Sequence, residues 1–114
     1  RTTTVYNSRL NPTLNRLIVE NFRLLGEEID ETPCQLGGST DFGNVSQELP
    51  AAMFLVETHP EGIPWHSAAV TGASGDALAL RGMLVGAKVL AGVAVDLLGD
   101  PALLAQVQED FAQG

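Results

Sequence analysis

The residue types that could do chemistry concentrate in two stretches of this chain. The first, Leu36 to Leu49, contains Gly37-Gly38-Ser39-Thr40-Asp41. Glycines there let backbone N–H groups approach a ligand and the hydroxyls add donors, so the loop could hold a carboxylate or a phosphate. The same residues also make an ordinary Gly-rich turn capped by Ser, Thr and Asp side chains. The Gly-Lys-Ser/Thr ending of a phosphate-binding P-loop is absent. The second stretch, His59 to Gly75, holds Pro64-Trp65-His66-Ser67. His66 could be a metal ligand or a general base, or simply a hydrogen-bonded loop histidine. His59 is seven residues away, which is not a helical pair, and no His/Cys/carboxylate cluster completes a tetrahedral set. Ser67 beside His66 is no triad, because no nucleophile elbow is present. Cys34 reads as a small core residue or a loop thiol. The acidic run Glu27, Glu28, Asp30, Glu31 could bind a hard cation, but such runs also occur as plain solvated surface. No residue of the chain is assigned a catalytic role.

The elements that would position these loops are read from periodicity. Thr2 to Tyr6 is β-branched and aromatic, as in a strand. Asn11-Pro12 opens a helix over about 12–25, with Leu14, Leu17, Ile18, Phe22 and Leu25 as its apolar stripe and Gly26 as its end. Glu27 to Gln35 is irregular, with room for a brief strand at Ile29. Leu36 to Leu49 reads as a loop with one short helical turn. Ala51 to Thr58, an apolar run between Pro50 and Pro60, suits a strand buried on both faces. His59 to Gly75 reads as a loop. A long helix follows, capped by Ser74 or Asp76, with Leu80, Met83, Leu84, Ala87, Leu90, Ala91, Ala94 and Leu98 on its buried side. Gly82, Gly86 and Gly92 in it suggest close packing against a sheet or helix. Gly99 ends it, and Asp100-Pro101 starts a last helix with Leu103, Leu104, Val107 and Phe111 inward.

Composition bounds the function classes. The 114 residues suffice for one small domain. A formal net charge of −8 and scattered basic residues argue against nucleic-acid and acidic-membrane partners. A single cysteine excludes an internal disulfide and fits a reducing compartment, so a cytoplasmic location is expected. Ala77 to Leu98 is apolar, but Arg81, Lys88 and Asp96 make it a poor membrane span and a reasonable buried helix. Asn44-Val45-Ser46 matches a glycosylation sequon, taken as chance. One or two strands make no stable sheet alone, and the chain opens on Arg1 inside an apparent strand, so an incomplete fragment or an obligate partner is expected.

Taken together, Gly37-Gly38-Ser39-Thr40-Asp41-Phe42-Gly43-Asn44-Val45-Ser46, Pro50, Pro64-Trp65-His66-Ser67 and the helix bearing Gly82-Met83-Leu84-Val85-Gly86-Ala87-Lys88 resemble the carboxy-terminal part of a zinc-dependent amidohydrolase/exopeptidase. The resemblance is to the carboxypeptidase G, aminoacylase and p-aminobenzoyl-glutamate hydrolase family, nearest its p-aminobenzoyl-glutamate hydrolase and aminoacylase-like dipeptidase branch. It implies an α/β fold: a helix-rich fragment of a helix-flanked mixed-sheet catalytic domain, with one or two central strands. Residues 1–7 would be the exit strand or linker of an inserted dimerisation domain, and residues 8–114 the carboxy-terminal part of the catalytic domain. The family binds two metal ions, zinc or else manganese or cobalt, and hydrolyses the amide of an N-acyl amino acid or dipeptide with a metal-activated water. His66 matches its last metal ligand; Gly38, Ser39, Thr40 and Asp41 match a substrate-binding loop. The remaining ligands and the general-base glutamate would lie in a missing amino-terminal part of the same polypeptide, so the chain alone is expected to be inactive and the full protein to be a homodimer. Ala68, Ala69 and Val70 stand where many relatives carry a Phe soon after the His-Ser pair. A non-catalytic interaction module, or an inactive homologue, is the alternative.

Overall fold

Helix α1 (Pro12–Leu24) starts where the Asn11 side chain accepts from the Leu14 N–H at 3.0 Å, with Pro12 at the first helical position. It ends where Gly26 turns to φ 72°. There the Gly26 N–H reaches the Arg23 carbonyl at 3.0 Å and the Glu27 N–H reaches Phe22 at 3.1 Å, the paired bonds of a Schellman cap. The computed structural model describes residues 4–32 and 39–114. After α1 come α2 (Phe42–Glu48), α3 (Ala68–Ala73), α4 (Ala77–Gly99) and α5 (Pro101–Gln113). Asp100 caps α5 by accepting from the Ala102 N–H at 2.8 Å. Helices α1, α4 and α5 pack on one another.

The core is small. Ile18 and Phe22 of α1 meet Val89 of α4, and Ile29, Ala52, Phe54, Val56, Val85 and Val93 close around them. Phe22 and Phe54 meet edge to face, ring centroids 5.2 Å apart. The molecule measures 43 × 43 × 22 Å, and its radius of gyration of 15.8 Å exceeds the roughly 13 Å of a compact domain of this length.

Three expectations are corrected. The first is the mixed α/β sheet: among the described residues there are helices and no strand. Strands exist through ladder bonds to a neighbour, and the candidate segments spend their contacts otherwise. Thr4 to Arg9 is gripped by side chains of α2. The 27–32 segment folds back on ion pairs, Arg81 to Glu27 at 2.6 Å and Arg23 to Glu31 at 2.5 Å. Residues 51–58 lie along α4. Thr2 and Thr3 fall outside the described residues.

The second concerns residues 51–58, expected to be buried on both faces. Ala52, Phe54, Val56 and Thr58 are half-buried, while Met53, Leu55 and Glu57 between them are exposed. The segment has the period of two of extended chain but packs on one side only. The third concerns α4. Its buried positions are Ala79, Gly82, Gly86 and Val89, whereas Leu80, Met83, Leu84, Leu90 and Leu98 are exposed. The cause is close approach. A Cβ on Gly82 would fall on the Glu57 carbonyl oxygen, one on Gly86 would touch Val56 Cγ1 at 3.6 Å, and one on Gly92 would fall on the Asn21 amide oxygen. The Glu57 backbone at Gly82 and the Val56 and Asn21 side chains at Gly86 and Gly92 come close over glycines, and the large residues of α4 face away. By length and composition α4 is apolar enough to cross a membrane, and 22% of its most apolar window is buried.

Candidate functional site

The extended run 51–58 leads into a tight turn before α3. Ser67 stops that turn by capping α3. Its Oγ accepts from the Val70 N–H at 3.3 Å and donates to the Pro64 carbonyl at 2.6 Å. The Thr71 hydroxyl donates to the Ser67 carbonyl at 3.4 Å. Between Pro64 and Ser67 stands His66 with φ 57°, the one non-glycine residue in the left-handed region among those described. That conformation costs an L-residue about 1 kcal/mol, so the bonds around it must hold it there.

Thr58, His59, Trp65, His66, Ser67, Val70 and Thr71 line an open hollow of about 470 Å³. The His59 and Trp65 rings meet edge to face, 6.2 Å between centroids. His59 Nδ1 lies 3.3 Å from the Pro60 carbonyl oxygen. His66 is exposed on the hollow's rim. No group of three or more His, Cys, Asp or Glu side chains suited to a metal occurs among the described residues. The hollow therefore offers an imidazole donor but not the roughly four donors that a zinc ion takes.

Of the sequence-derived substrate loop, Gly38 lies outside the described residues, as do Gly37 and Cys34. Ser39, Thr40 and Asp41 are exposed, and none of them lines the His66 hollow. Thr40 Oγ1 accepts from the Phe42 N–H at 3.3 Å, and the Asp41 carbonyl accepts from Asn44 and Val45 N–H groups as α2 begins. These three residues shape the approach to α2 and leave side-chain oxygens facing solvent.

The second half of the same block has a role that sequence reasoning missed. Gly43, Asn44, Ser46 and Gln47 form a grip on the segment before α1. Asn44 Oδ1 accepts from the Tyr6 N–H at 3.2 Å and its Nδ2 donates to the Thr4 carbonyl at 3.0 Å. Gln47 Nε2 donates to the Asn7 carbonyl at 2.7 Å. Ser46 Oγ, fully buried, accepts from the Arg9 N–H at 2.9 Å and donates to the Gly43 carbonyl at 2.8 Å. A Cβ on Gly43 would fall on the Tyr6 carbonyl oxygen. The signal was available: Asn, Ser and Gln at helical spacing beside a Gly mark a face that meets backbone. The sequon asparagine is thus spent on an internal contact.

Three of the four carboxylates of the acidic run have partners. Glu27 and Glu31 pair with arginines, and bonds to Asp30 from the Thr32 side chain and from the Thr32 N–H, the latter at 2.9 Å, hold its carboxyl below the usual carboxylate range.

The chain is 35% identical over 78 residues to a subunit of the p-aminobenzoyl-glutamate hydrolase of Escherichia coli, a match covering 68% of this chain and 16% of that protein. It is 37% identical over 111 residues to the Xaa-Arg dipeptidase of Mus musculus and 36% identical over 109 residues to that of Homo sapiens, each match covering 93% of this chain and 25% of the relative. The relatives are hydrolases. This chain belongs to the amidohydrolase/dipeptidase family that they represent. It spans a quarter or less of the length of these curated relatives. No family model matches it, and no solved structure does.

Proposed function

We propose that this chain is a part of a metal-dependent amidohydrolase that cleaves the amide of an N-acyl amino acid or a dipeptide, and that His66 is one of its metal ligands. The observation that carries the reading is the placement of His66: an exposed imidazole on the rim of an open hollow, in a left-handed turn fixed on both sides by Ser67. The names of the relatives, a p-aminobenzoyl-glutamate hydrolase and Xaa-Arg dipeptidases, support an amide as the bond cleaved. A bound zinc, or manganese or cobalt, supplies a Lewis acid and a water of lowered pKa. His66 would hold that ion through a ring nitrogen. Thr58, Trp65 and Val70 line the same hollow. Ser39, Thr40 and Asp41 serve the substrate through their solvent-facing oxygens. The further ligands and the general base come from polypeptide that these 114 residues do not include, and the complete protein works as a cytoplasmic homodimer.

One observation favours a second reading. The exposed Leu80, Met83, Leu84, Leu90 and Leu98 of α4 would suit a non-catalytic module that docks through this helix. The native polypeptide carrying this sequence, purified from its source, separates the two. The hydrolase reading expects bound divalent metal and release of free amino acid from a panel of N-acyl amino acids and dipeptides, lost on chelation. Metal-free protein inert to the whole panel would leave the docking module.

A further inference from the structure

The chain exposes more surface than a folded monomer of its mass retains. Its accessible area is 8255 Å², against roughly 6,000 Å² for a compact 12.0 kDa protein. The excess of about 2,000 Å² is well over the roughly 800 Å² that each side of a standard protein–protein interface gives up, and it falls in the range of obligate interfaces. An open groove of about 520 Å³ runs between residues 51–58 and α4, lined by Met53 and Phe54 from the run and by Met83, Ala87 and Leu90 from the helix. The exposed Leu80 and Leu84 continue its helical wall, since residues three and four apart are neighbours on a helix surface. Of the three charged side chains of α4, Arg81 is held by Glu27 and Asp96 by Asn21, which leaves Lys88 as the one charge of α4 with no partner among the described residues. A surface so large, apolar and poor in charge resembles a domain core cut open. Two observations say what covers it. Matches that cover 93% of this chain cover 25% of the dipeptidases, leaving three quarters of each dipeptidase outside the match. A second copy is the poorer occupant, because it would bring a net charge of −8 against another of −8.

We propose that the groove between residues 51–58 and α4 is the seat of an apolar segment from the rest of the same polypeptide, so that Met53, Met83 and Leu90 become core in the complete protein. The proposal rests on the reading of this chain as part of a longer hydrolase. The lining sets the chemistry of the occupant. It must present aliphatic or aromatic side chains to the groove, because a charge buried there would find no partner. A carboxylate fits only beside Lys88.

The two methionines of the chain, Met53 and Met83, stand on opposite walls of the groove and are 45% and 57% exposed, so they report on it without any substitution. The native polypeptide is treated with hydrogen peroxide, and sulfoxide formation is followed by mass spectrometry of the peptides that carry the two residues. Both are expected to oxidise at least about tenfold more slowly than free methionine, and to reach its rate once urea unfolds the protein. Oxidation of either at the rate of free methionine in the folded protein would overturn the proposal. A photoreactive benzoylphenylalanine in place of Leu90, in protein assembled from light- and heavy-isotope chains, then identifies the occupant. A cross-link within one chain is expected, and a light–heavy cross-link would give the groove to a second copy and overturn the proposal. A native polypeptide no larger than 12.0 kDa would instead overturn the reading on which the proposal rests, so the two failures appear in different measurements.

Discussion

Gly82 gives a sharp test of where residues 51–58 lie. Replacing a mid-helix glycine with alanine normally stabilises, because alanine is the better helix former by about 1 kcal/mol. In α4 that gain meets an obstacle. The new Cβ would fall on the Glu57 carbonyl oxygen, with the Glu57 carbonyl carbon at 3.1 Å and Thr58 Cγ2 at 3.4 Å. The first two are backbone, so no rotamer change relieves them, and the extended run must lift from the helix. Overpacking of this kind costs roughly 1–3 kcal/mol, and lifting the run also loosens Phe54 and Val56 from the core. The cost exceeds the propensity gain, so Gly82→Ala is expected to be net destabilising by about 1–2 kcal/mol. Gly72 in α3 is the control, since a Cβ there meets nothing within 4 Å. Gly72→Ala is expected to be neutral or stabilising by up to about 1 kcal/mol. Urea unfolding followed by circular dichroism reads both midpoints. If Gly82→Ala stabilises as Gly72→Ala does, residues 51–58 do not rest on α4 and the close approach at Gly82 does not exist.

Three further perturbations probe other contacts. Asn11→Ala removes the α1 cap and the bond from Asn11 Nδ2 to the Val107 carbonyl at 2.9 Å, both buried, and should cost about 2–3 kcal/mol in the same unfolding assay; a loss under about 0.5 kcal/mol would contradict the α1–α5 junction. Ser46→Ala leaves the Arg9 N–H without its partner and should cost roughly 1–3 kcal/mol and speed proteolysis before α1, whereas unchanged cleavage there would remove the grip of α2 on that segment. The Thr13 side chain and the Thr13 N–H, the latter at 2.9 Å, both bond Asp110 and lower its pKa in the folded state. A carboxylate with a lowered folded pKa stabilises fully above its unfolded pKa and loses that contribution as pH falls through the lowered value. Asp110→Asn should therefore flatten the acid limb of a stability–pH profile below about pH 4, and an unaltered limb would reject the bond.

What the sequence made legible was what it encodes locally. The starts of α1 and α5 follow from Asn11-Pro12 and Asp100-Pro101, and the end of α1 from Gly26, since each signal acts within one helical turn. Pro60, Gly62, Pro64, Gly72 and Gly75 make the His59 to Gly75 stretch look like a loop throughout, yet Ala68–Ala73 form α3, and the Ser67 cap before Ala68-Ala69-Val70 is the local signal for it. The sheet failed for a non-local reason. An apolar, β-branched run shows that residues 51–58 are extended, but a strand also needs a neighbour's backbone, and the neighbour here is a helix face of glycines. The close packing that Gly82, Gly86 and Gly92 imply is found, but it turns the opposite face of α4 inward from the one that Leu80, Met83, Leu84, Ala87, Leu90, Ala91, Ala94 and Leu98 mark. At the candidate site, His66 and Ser67 stood out as types, but the left-handed turn joining them depends on two bonds that spacing alone does not reveal.

The central claim is that His66 binds metal, and His66→Ala in the native polypeptide tests it most directly. Bound zinc, measured by plasma emission after dialysis, and amide hydrolysis under saturating zinc should both fall, hydrolysis by at least about tenfold. Zinc content and turnover equal to those of the unaltered protein would contradict the claim and leave the hollow beside α3 without a metal.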